Sequence, residues 1–500
     1  MPKKTWKLTF PFLRVDRSRG ALEQQLYRQM RGAIVDGRLP VGLRMPSTRQ
    51  LAIDLEVSRN TVLAVFERLT AERLLQSKIG WGTFVAAFSM PRGAESSSPL
   101  ALSTWGEEVD AFDDAESALP APELFAVDRW AHYVAAQWRG TNRSQEADPL
   151  GDAALRLAIA DHVAPVSGIV CDASNVLITS GLAQALDCVA RALINPSDRV
   201  IVEDPLNPLI RRSLRAARAE LVSNPVDGEG LLPDFLDRTA RLAYVSAASQ
   251  SPKGVSLSPS RQFLLIEWAK KHGVVIVENA AGSGIDTPPR ESSVKMIDTR
   301  GVVLTIGSFE LTLTPDIAIG YIIGTRTRIA QLSKVRSFFG ALPSRAEQRA
   351  LKEVLVRGEY AAHLKRQRQT YTERYDALAG ALRTQLIGRV VGITRSAALQ
   401  LAMWLAPNID EVTVIEACRA AGVRCRPLSA FAISAAMPAV VILDYGRISV
   451  EAAPMIAHKI ASHLASTNAK GRSRAHWILP LQLLQSVQTK NEGPMRIWGA

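Results

Sequence analysis

Five hundred residues exceed what one hydrophobic core organises, so two or three domains are expected. A content of 47% hydrophobic and 22% charged residues is that of an ordinary globular chain, which argues against a disordered or fibrous protein. The net charge is +12, and residues 1–90 hold 15 Lys and Arg against 7 Asp and Glu, or +8. Such concentration in the first fifth favours an anionic partner, double-stranded DNA foremost, over a merely solvated basic face.

Four cysteines, Cys171, Cys188, Cys418 and Cys425, form no CxxC pair, and no His stands near them at ligand spacing. Neither a metal site nor a disulfide framework is expected, and free thiols suit a reducing cytoplasm. Near the N-terminus, Arg14, Asp16, Arg17 and Arg19 interrupt any apolar run, so neither a secretory signal nor a membrane span is expected there. The expected location is cytoplasmic, with no membrane partner.

In chain order, residues 21–36 predict a helix, with Leu22, Leu26, Met30 and Ile34 along one face. The stretch from Asp36 to Gly42 holds two glycines and a proline and predicts a turn. Ser47 then caps a short helix ending near Leu55, and Gln50 stands where it completes a capping box. Ser58 is the next N-cap. Val62, Val65, Phe66 and Leu69 recur at three- and four-residue spacing and turn inward, which leaves Arg59, Asn60 and Thr61 in an exposed first turn. That is where a recognition helix meets base edges. Gly80-Trp81-Gly82-Thr83-Phe84-Val85 predicts a glycine-hinged strand, suited to a wing.

These segments closely resemble the GntR-family winged helix-turn-helix over about 65 residues: Arg44 to Ala52, Val57 to Val62, Phe66 to Leu69, and Gly80 to Val85. The resemblance implies that Arg49, Ser58, Arg59, Asn60 and Thr61 touch phosphates or bases, and that Gly80 approaches the minor groove. The expected DNA-binding domain spans residues 18–88.

Residues 89–118 mix Ser, Pro, Gly and acidic residues and predict a linker. Beyond it, apolar runs alternate with helical patterns. Strands are predicted at Val176–Thr179, Arg199–Glu203, Leu242–Ser246, Val274–Val277, Val302–Ile306 and Ile319–Ile323, with helices near 183–194, 208–217 and 258–271. The expected fold class is α/β, a mostly parallel sheet covered on both faces, with a smaller α+β subdomain over 390–465.

The segments Thr179 to Gln184, Val202 to Pro205, Gln250 to Gly254, Val277 to Asn279, and Gly307-Ser308-Phe309 through Pro315 to Gly320-Tyr321 resemble fold-type I aminotransferases in kind and order. Joined to a GntR head, they resemble the MocR subfamily of regulators over nearly the whole chain to about residue 465, which makes 119–465 the aminotransferase-like domain. The resemblance implies a pyridoxal phosphate site, a homodimer and a small-molecule effector.

Several positions depart from that pattern. The family's Schiff-base lysine is Leu311, its phosphate arginine is Ala318, and the aspartate that holds a proton on the pyridine nitrogen is Asn279. The family tyrosine is replaced at Ala281, and the histidine of the Ser-His-Gln run is Ser249. Without an amine at 311 no internal aldimine forms. Glu310 adds a carboxylate close to where a phosphate sits. Ser180, Gly181, Leu182 and Ala183 retain the strand-to-helix turn of a phosphate cup, which serves equally as plain structure. With Ser308 these positions outline a vestigial pocket, no catalytic residue is assigned, and Lys253 reads as a surface-turn lysine. The expected function is a sequence-specific regulator whose aminotransferase-like domain is catalytically inactive. A regulator sensing pyridoxal phosphate or an amino compound noncovalently remains an alternative, whereas Leu311 counts against an active aminotransferase. Residues 466–500 are basic and are expected to be a disordered extension.

Overall fold

A computed structural model describes residues 10, 12–13, 15–16, 21–78, 80–87, 119–140, 148–282, 284–285, 293–339, 343–434 and 436–470. The linker expected at 89–118 lies outside the described residues, as does the tail from 471 onward. The chain divides into two compact units, residues 1–109 and 110–500.

The first unit holds α1 (Leu22–Val35), α2 (Thr48–Asp54), α3 (Arg59–Ala71), β1 (Leu75–Lys78) and β2 (Gly82–Val85). Leu26, Met30 and Ile34 of α1 meet Leu51, Val62, Val65, Phe66 and Leu69 in one buried cluster, closed by Leu75 and Val85 of the hairpin. Ser47 caps α2 by accepting the Gln50 N–H at 3.1 Å. The capping box is not completed, because the Gln50 side chain donates instead to Asp54 at 2.9 Å, one helical turn ahead. The strands β1 and β2 pair antiparallel from Leu75↔Val85 to Lys78↔Gly82. The wing strand thus begins at Gly82 rather than Gly80, since Gly80 and Gly82 both take positive φ and form the turn.

The second unit opens with α4 (Val127–Gly140) and α5 (Ala153–Ser167), then alternates. In order come β3 (Val176–Thr179), α6 (Gly181–Leu193), β4 (Arg199–Asp204), α7 (Pro208–Ala216), β5 (Glu220–Asp227), β6 (Gly230–Leu231), β7 (Leu242–Val245), α8 (Pro259–His272), β8 (Val275–Asn279), β9 (Val303–Ser308), β10 (Gly320–Ile323) and α9 (Arg326–Arg336). Among the described residues they build an 8-stranded sheet in the order β3-β10-β9-β8-β7-β4-β5-β6. The run from β9 to β5 is parallel, while β10 pairs antiparallel with both β3 and β9. Alternate residues feed opposite faces. Val200, Val202, Tyr244 and Val277 pack beneath α6 and α7, while Ile201, Ala243, Val245 and Ile276 pack against α8. The sequence reading missed β5, next to the short edge strand β6, which is mostly half-exposed and lacks the apolar run that marks the inner strands.

The helices α10 (Arg345–Val356) and α11 (Glu359–Gln385) lead to a 4-stranded antiparallel sheet, order β11-β12-β14-β13. Its strands are β11 (Val390–Arg395), β12 (Gln400–Leu405), β13 (Cys425–Pro427) and β14 (Val440–Asp444), backed by α12 (Glu411–Ala420) and α13 (Ala453–Lys470). The last helix runs beyond the expected boundary at 465. No helix among the described residues is long and apolar enough to cross a membrane.

Substituting Leu69→Ala, at a fully buried site of the first unit, is expected to cost about 2–5 kcal/mol in denaturant unfolding of that unit. A second expectation concerns Glu203 at the end of β4, whose carboxyl is fully buried and accepts the Ser246 N–H at 3.1 Å. Burial pushes it from 4.5 up to about 8. The native state therefore keeps it neutral while the unfolded chain ionises, so its contribution is full below about pH 4.5 and lost as pH rises through 8. Relative to Glu203→Gln, the wild type should lose thermal stability across that window. Parallel pH profiles of the two proteins would contradict the assignment.

Candidate nucleic-acid interface and effector cleft

In the first unit, the corner between α2 and α3 carries the residues singled out from sequence. Ser58 caps α3, its hydroxyl accepting the Thr61 N–H at 3.0 Å and lying 2.8 Å from the Thr61 hydroxyl. Thr61 is accordingly half-buried and engaged with its cap, rather than fully presented as expected. Arg59 and Asn60 are exposed in the same turn, and Arg49 is exposed on α2. None of these three makes a hydrogen bond or ion pair among the described residues. At the other end of α3, by contrast, Glu72 accepts from the Tyr27 hydroxyl at 2.5 Å and pairs with Arg31 and Arg68. A helix N-terminus with uncommitted guanidinium and amide groups is chemically suited to phosphate oxygens and base edges.

Two further groups belong to this surface. Trp81 is 72% exposed at the tip of the wing, between Gly80 and Gly82. Arg44 pairs its backbone with Phe84 and lays its side chain along Gly82, where a Cβ would lie 3.2 Å from Arg44 Nε. The aromatic between two glycines was the available signal for Trp81. Nothing local in the sequence places Arg44 beside the wing.

In the second unit, a cleft opens to solvent. It is lined by Leu182, Asn279 and Leu311 of the predicted set, with Tyr244, Ser246, Ser249 and Ala398 among the others. Asn279 holds the turn after β8, its Oδ1 accepting the Ala281 N–H at 2.9 Å. Leu311 lines the cleft and also packs against the main apolar cluster. Ala318 is exposed and lies away from the lining. Lys253 is a correction to the surface-turn expectation: it is half-buried, donates to the Val226 carbonyl at 2.5 Å, and does not line the cleft.

At the start of α6, Ser180, Gly181, Leu182 and Ala183 form the expected turn, but an internal group occupies it. Glu310 Oε2 accepts the Leu182 N–H at 3.0 Å and the Ser308 hydroxyl at 2.6 Å. Gly181 is required there, since its φ is +74° and a Cβ would lie 2.2 Å from Glu310 Oε1. Sequence reading placed Glu310 near a phosphate position but not seated on the helix. Ala397 and Ala398 come from the second sheet and reach the cleft only because that subdomain is tied down. Asp204 accepts the Ile433 and Ser434 N–H groups at 3.0 and 3.1 Å, and Arg211 donates to the Ala432 carbonyl at 2.8 Å. No cluster of His, Cys, Asp or Glu among the described residues could hold a metal.

Comparison with known proteins matches residues 22–85 to bacterial regulatory proteins of the gntR family, and residues 123–457 to aminotransferase class I and II. The probable rhizopine catabolism regulatory protein MocR of Rhizobium meliloti is 30% identical over 426 residues, covering 82% of this chain and 86% of that protein. The HTH-type pyridoxine biosynthesis transcriptional regulator PdxR of Corynebacterium glutamicum is 27% identical, covering 73% of this chain and 81% of that protein. Among solved structures, an archaeal alanine:glyoxylate aminotransferase aligns with a TM-score of 0.64 at 22% identity, over 73% of this chain and 94% of that one. At that identity the last likeness speaks for the fold alone. A winged helix at the head of a fold-type I aminotransferase domain, matched along most of its length by regulators of the same build, makes this chain a member of the GntR family in its MocR subfamily.

Proposed function

We propose that this protein is a cytoplasmic, homodimeric transcription regulator that reads double-stranded DNA with Arg49, Arg59 and Asn60 and senses a small-molecule effector in its aminotransferase-like domain. Ser58 and Thr61 hold the first turn of α3 in shape, and Gly80 shapes the wing that approaches the minor groove. The observation that carries the reading is the Ser58-capped start of α3, which leaves Arg59 and Asn60 exposed and uncommitted. Winged-helix proteins engage paired half-sites, and a two-fold dimer mirrors that symmetry. The bland alternative, that Arg59 is a solvated charge, predicts no effect of its removal on sequence preference.

Within this reading the second domain is a sensor and not a transaminase. Its residues do not fit pyridoxal phosphate. Leu311 offers no amine for a Schiff base, Asn279 no negative charge for a pyridine nitrogen, and the Leu182 N–H already serves Glu310. Noncovalent retention of the cofactor has the preserved cleft in its favour and the seated Glu310 against it. PdxR, by its name a regulator of pyridoxine biosynthesis, makes vitamin-like effectors a reasonable class to test.

Replacing Arg59→Ala should weaken operator binding by about 1–3 kcal/mol and relax base preference at the contacted position, as read by anisotropy titration against a randomised site. The titrations belong at several salt concentrations, because the basic head also binds DNA without sequence preference at low salt. Unchanged affinity and preference would reduce Arg59 to a solvated charge. Replacing Leu311→Lys should give no transamination, because Asn279 and Glu310 remain. Turnover of an amino acid and keto acid by that single variant, followed by coupled assay, would overturn the sensor assignment.

A further inference from the structure

The cleft has a chemical character of its own. Among the described residues that line it there is no Asp, Glu, Lys, Arg or His. Leu182, Leu206, Ile210 and Leu311 supply apolar wall, and hydroxyl or amide groups come from Tyr244, Ser246 and Asn279. Tyr244 is the telling member: it is 1% exposed, and its hydroxyl stands beside Ser246 and Asn279 without a well-formed hydrogen bond to either. A buried hydroxyl left without a partner costs free energy that a ligand group recovers. Glu203 behind it adds no charge at neutral pH, since burial pushes its carboxyl up to about 8. An anionic ligand entering this cleft gives up hydration and meets no counter-charge in the lining.

Two helix starts face the cleft: at α7 the Asn207 side chain accepts the Leu209 N–H at 2.9 Å, and the N-terminus of α6 is filled as well. Glu310 Oε2 takes the Leu182 N–H at 3.0 Å and the Ser308 hydroxyl at 2.6 Å, and the carboxylate lies against the bare Cα of Gly181. A negative group at a helix start is stabilised by the N–H groups it meets and repels a second anion brought to the same place.

We propose that the cleft is a binding site for an uncharged small molecule with an apolar body and a hydrogen-bonding group for the Tyr244 hydroxyl, and that Glu310 is a built-in anion that bars phosphate-bearing ligands. This rests on the sensor reading for its biological meaning only, and its test uses no DNA, so failure here leaves the DNA-binding assignment to be judged by Arg59.

Pyridoxine and pyridoxine 5′-phosphate share one ring system and differ in the phosphate, which makes them the probes for calorimetric titration of the full-length protein. The wild type should bind pyridoxine about 10-fold or more tightly than the phosphate ester. Replacing Glu310→Ser vacates the seat and should close or reverse that gap. Glu310→Gln keeps nearly the same shape without the charge, so it should gain affinity for the ester even if the serine variant folds poorly. Tyr244→Phe should weaken pyridoxine by about 5-fold while leaving the preference between the two probes unchanged. Equal or tighter binding of the ester by the wild type, or an unchanged preference in both Glu310 variants, overturns the role of Glu310. A wild type that takes up neither probe at about 1 mM overturns the ligand class.

Discussion

Burial of the central strands on both faces is the constraint from which the second unit follows. β4, β7, β8 and β9 lie parallel, with helices over either face, and their middle residues are apolar without alternation. The polar exception, Thr305 of β9, donates its hydroxyl to Glu278 at 3.1 Å; the other polar side chains stand where the sheet gives way to turns. Because these strands run the same way, their polar ends gather at one edge: Glu203 and Asp204, Ser246, Asn279, and Ser308. Open parallel sheets place ligands outside the carboxyl ends of their strands for this reason. The cleft of this protein lies there, whatever chemistry its residues retain.

The same edge shows how a binding site changes while its scaffold stays. The strand-to-helix turn at Ser180 and Gly181 presents N–H groups that need an acceptor. An external anion is one way to satisfy them, and Glu310 is another, drawn from the chain itself and held by Ser308. Leu311 beside that carboxylate packs against the neighbouring apolar cluster. The features are mutually consistent: an uncharged lining and a helix start filled by Glu310 offer an anion no seat.

The winged-helix unit rests on a different balance. Its small core of Leu26, Met30, Leu51, Phe66 and Leu69 fixes the angle between α2 and α3, and the cap at Ser58 fixes where α3 begins. Several of its surface charges are absorbed by ion pairs around Glu72, while Arg49 and Arg59 are not. The capped turn thus leaves Arg59 and Asn60 exposed at the start of α3.

Helix spacing, caps and glycine placement are local properties, and they made α1, α2, α3 and the wing legible in the sequence, with Arg59 and Asn60 placed correctly. Long apolar runs likewise revealed the inner strands and the turn at Ser180. The half-exposed strand β5 escaped because its residues face two environments and carry no single period. The unfinished capping box at Gln50 escaped because Asp54, one turn ahead, engages the same side chain. Contacts between distant segments were beyond any local signal: Arg44 beside Gly82, Ala398 at the cleft, the buried hydroxyl of Tyr244, and the inward turn of Lys253 toward Val226. Sequence alone determined the family, the missing amine at Leu311 and the presence of a carboxylate at 310. Only tertiary structure decided that Glu310 sits on the start of α6, because that contact joins residues 128 apart and depends on how β9 and α6 are brought together by the sheet.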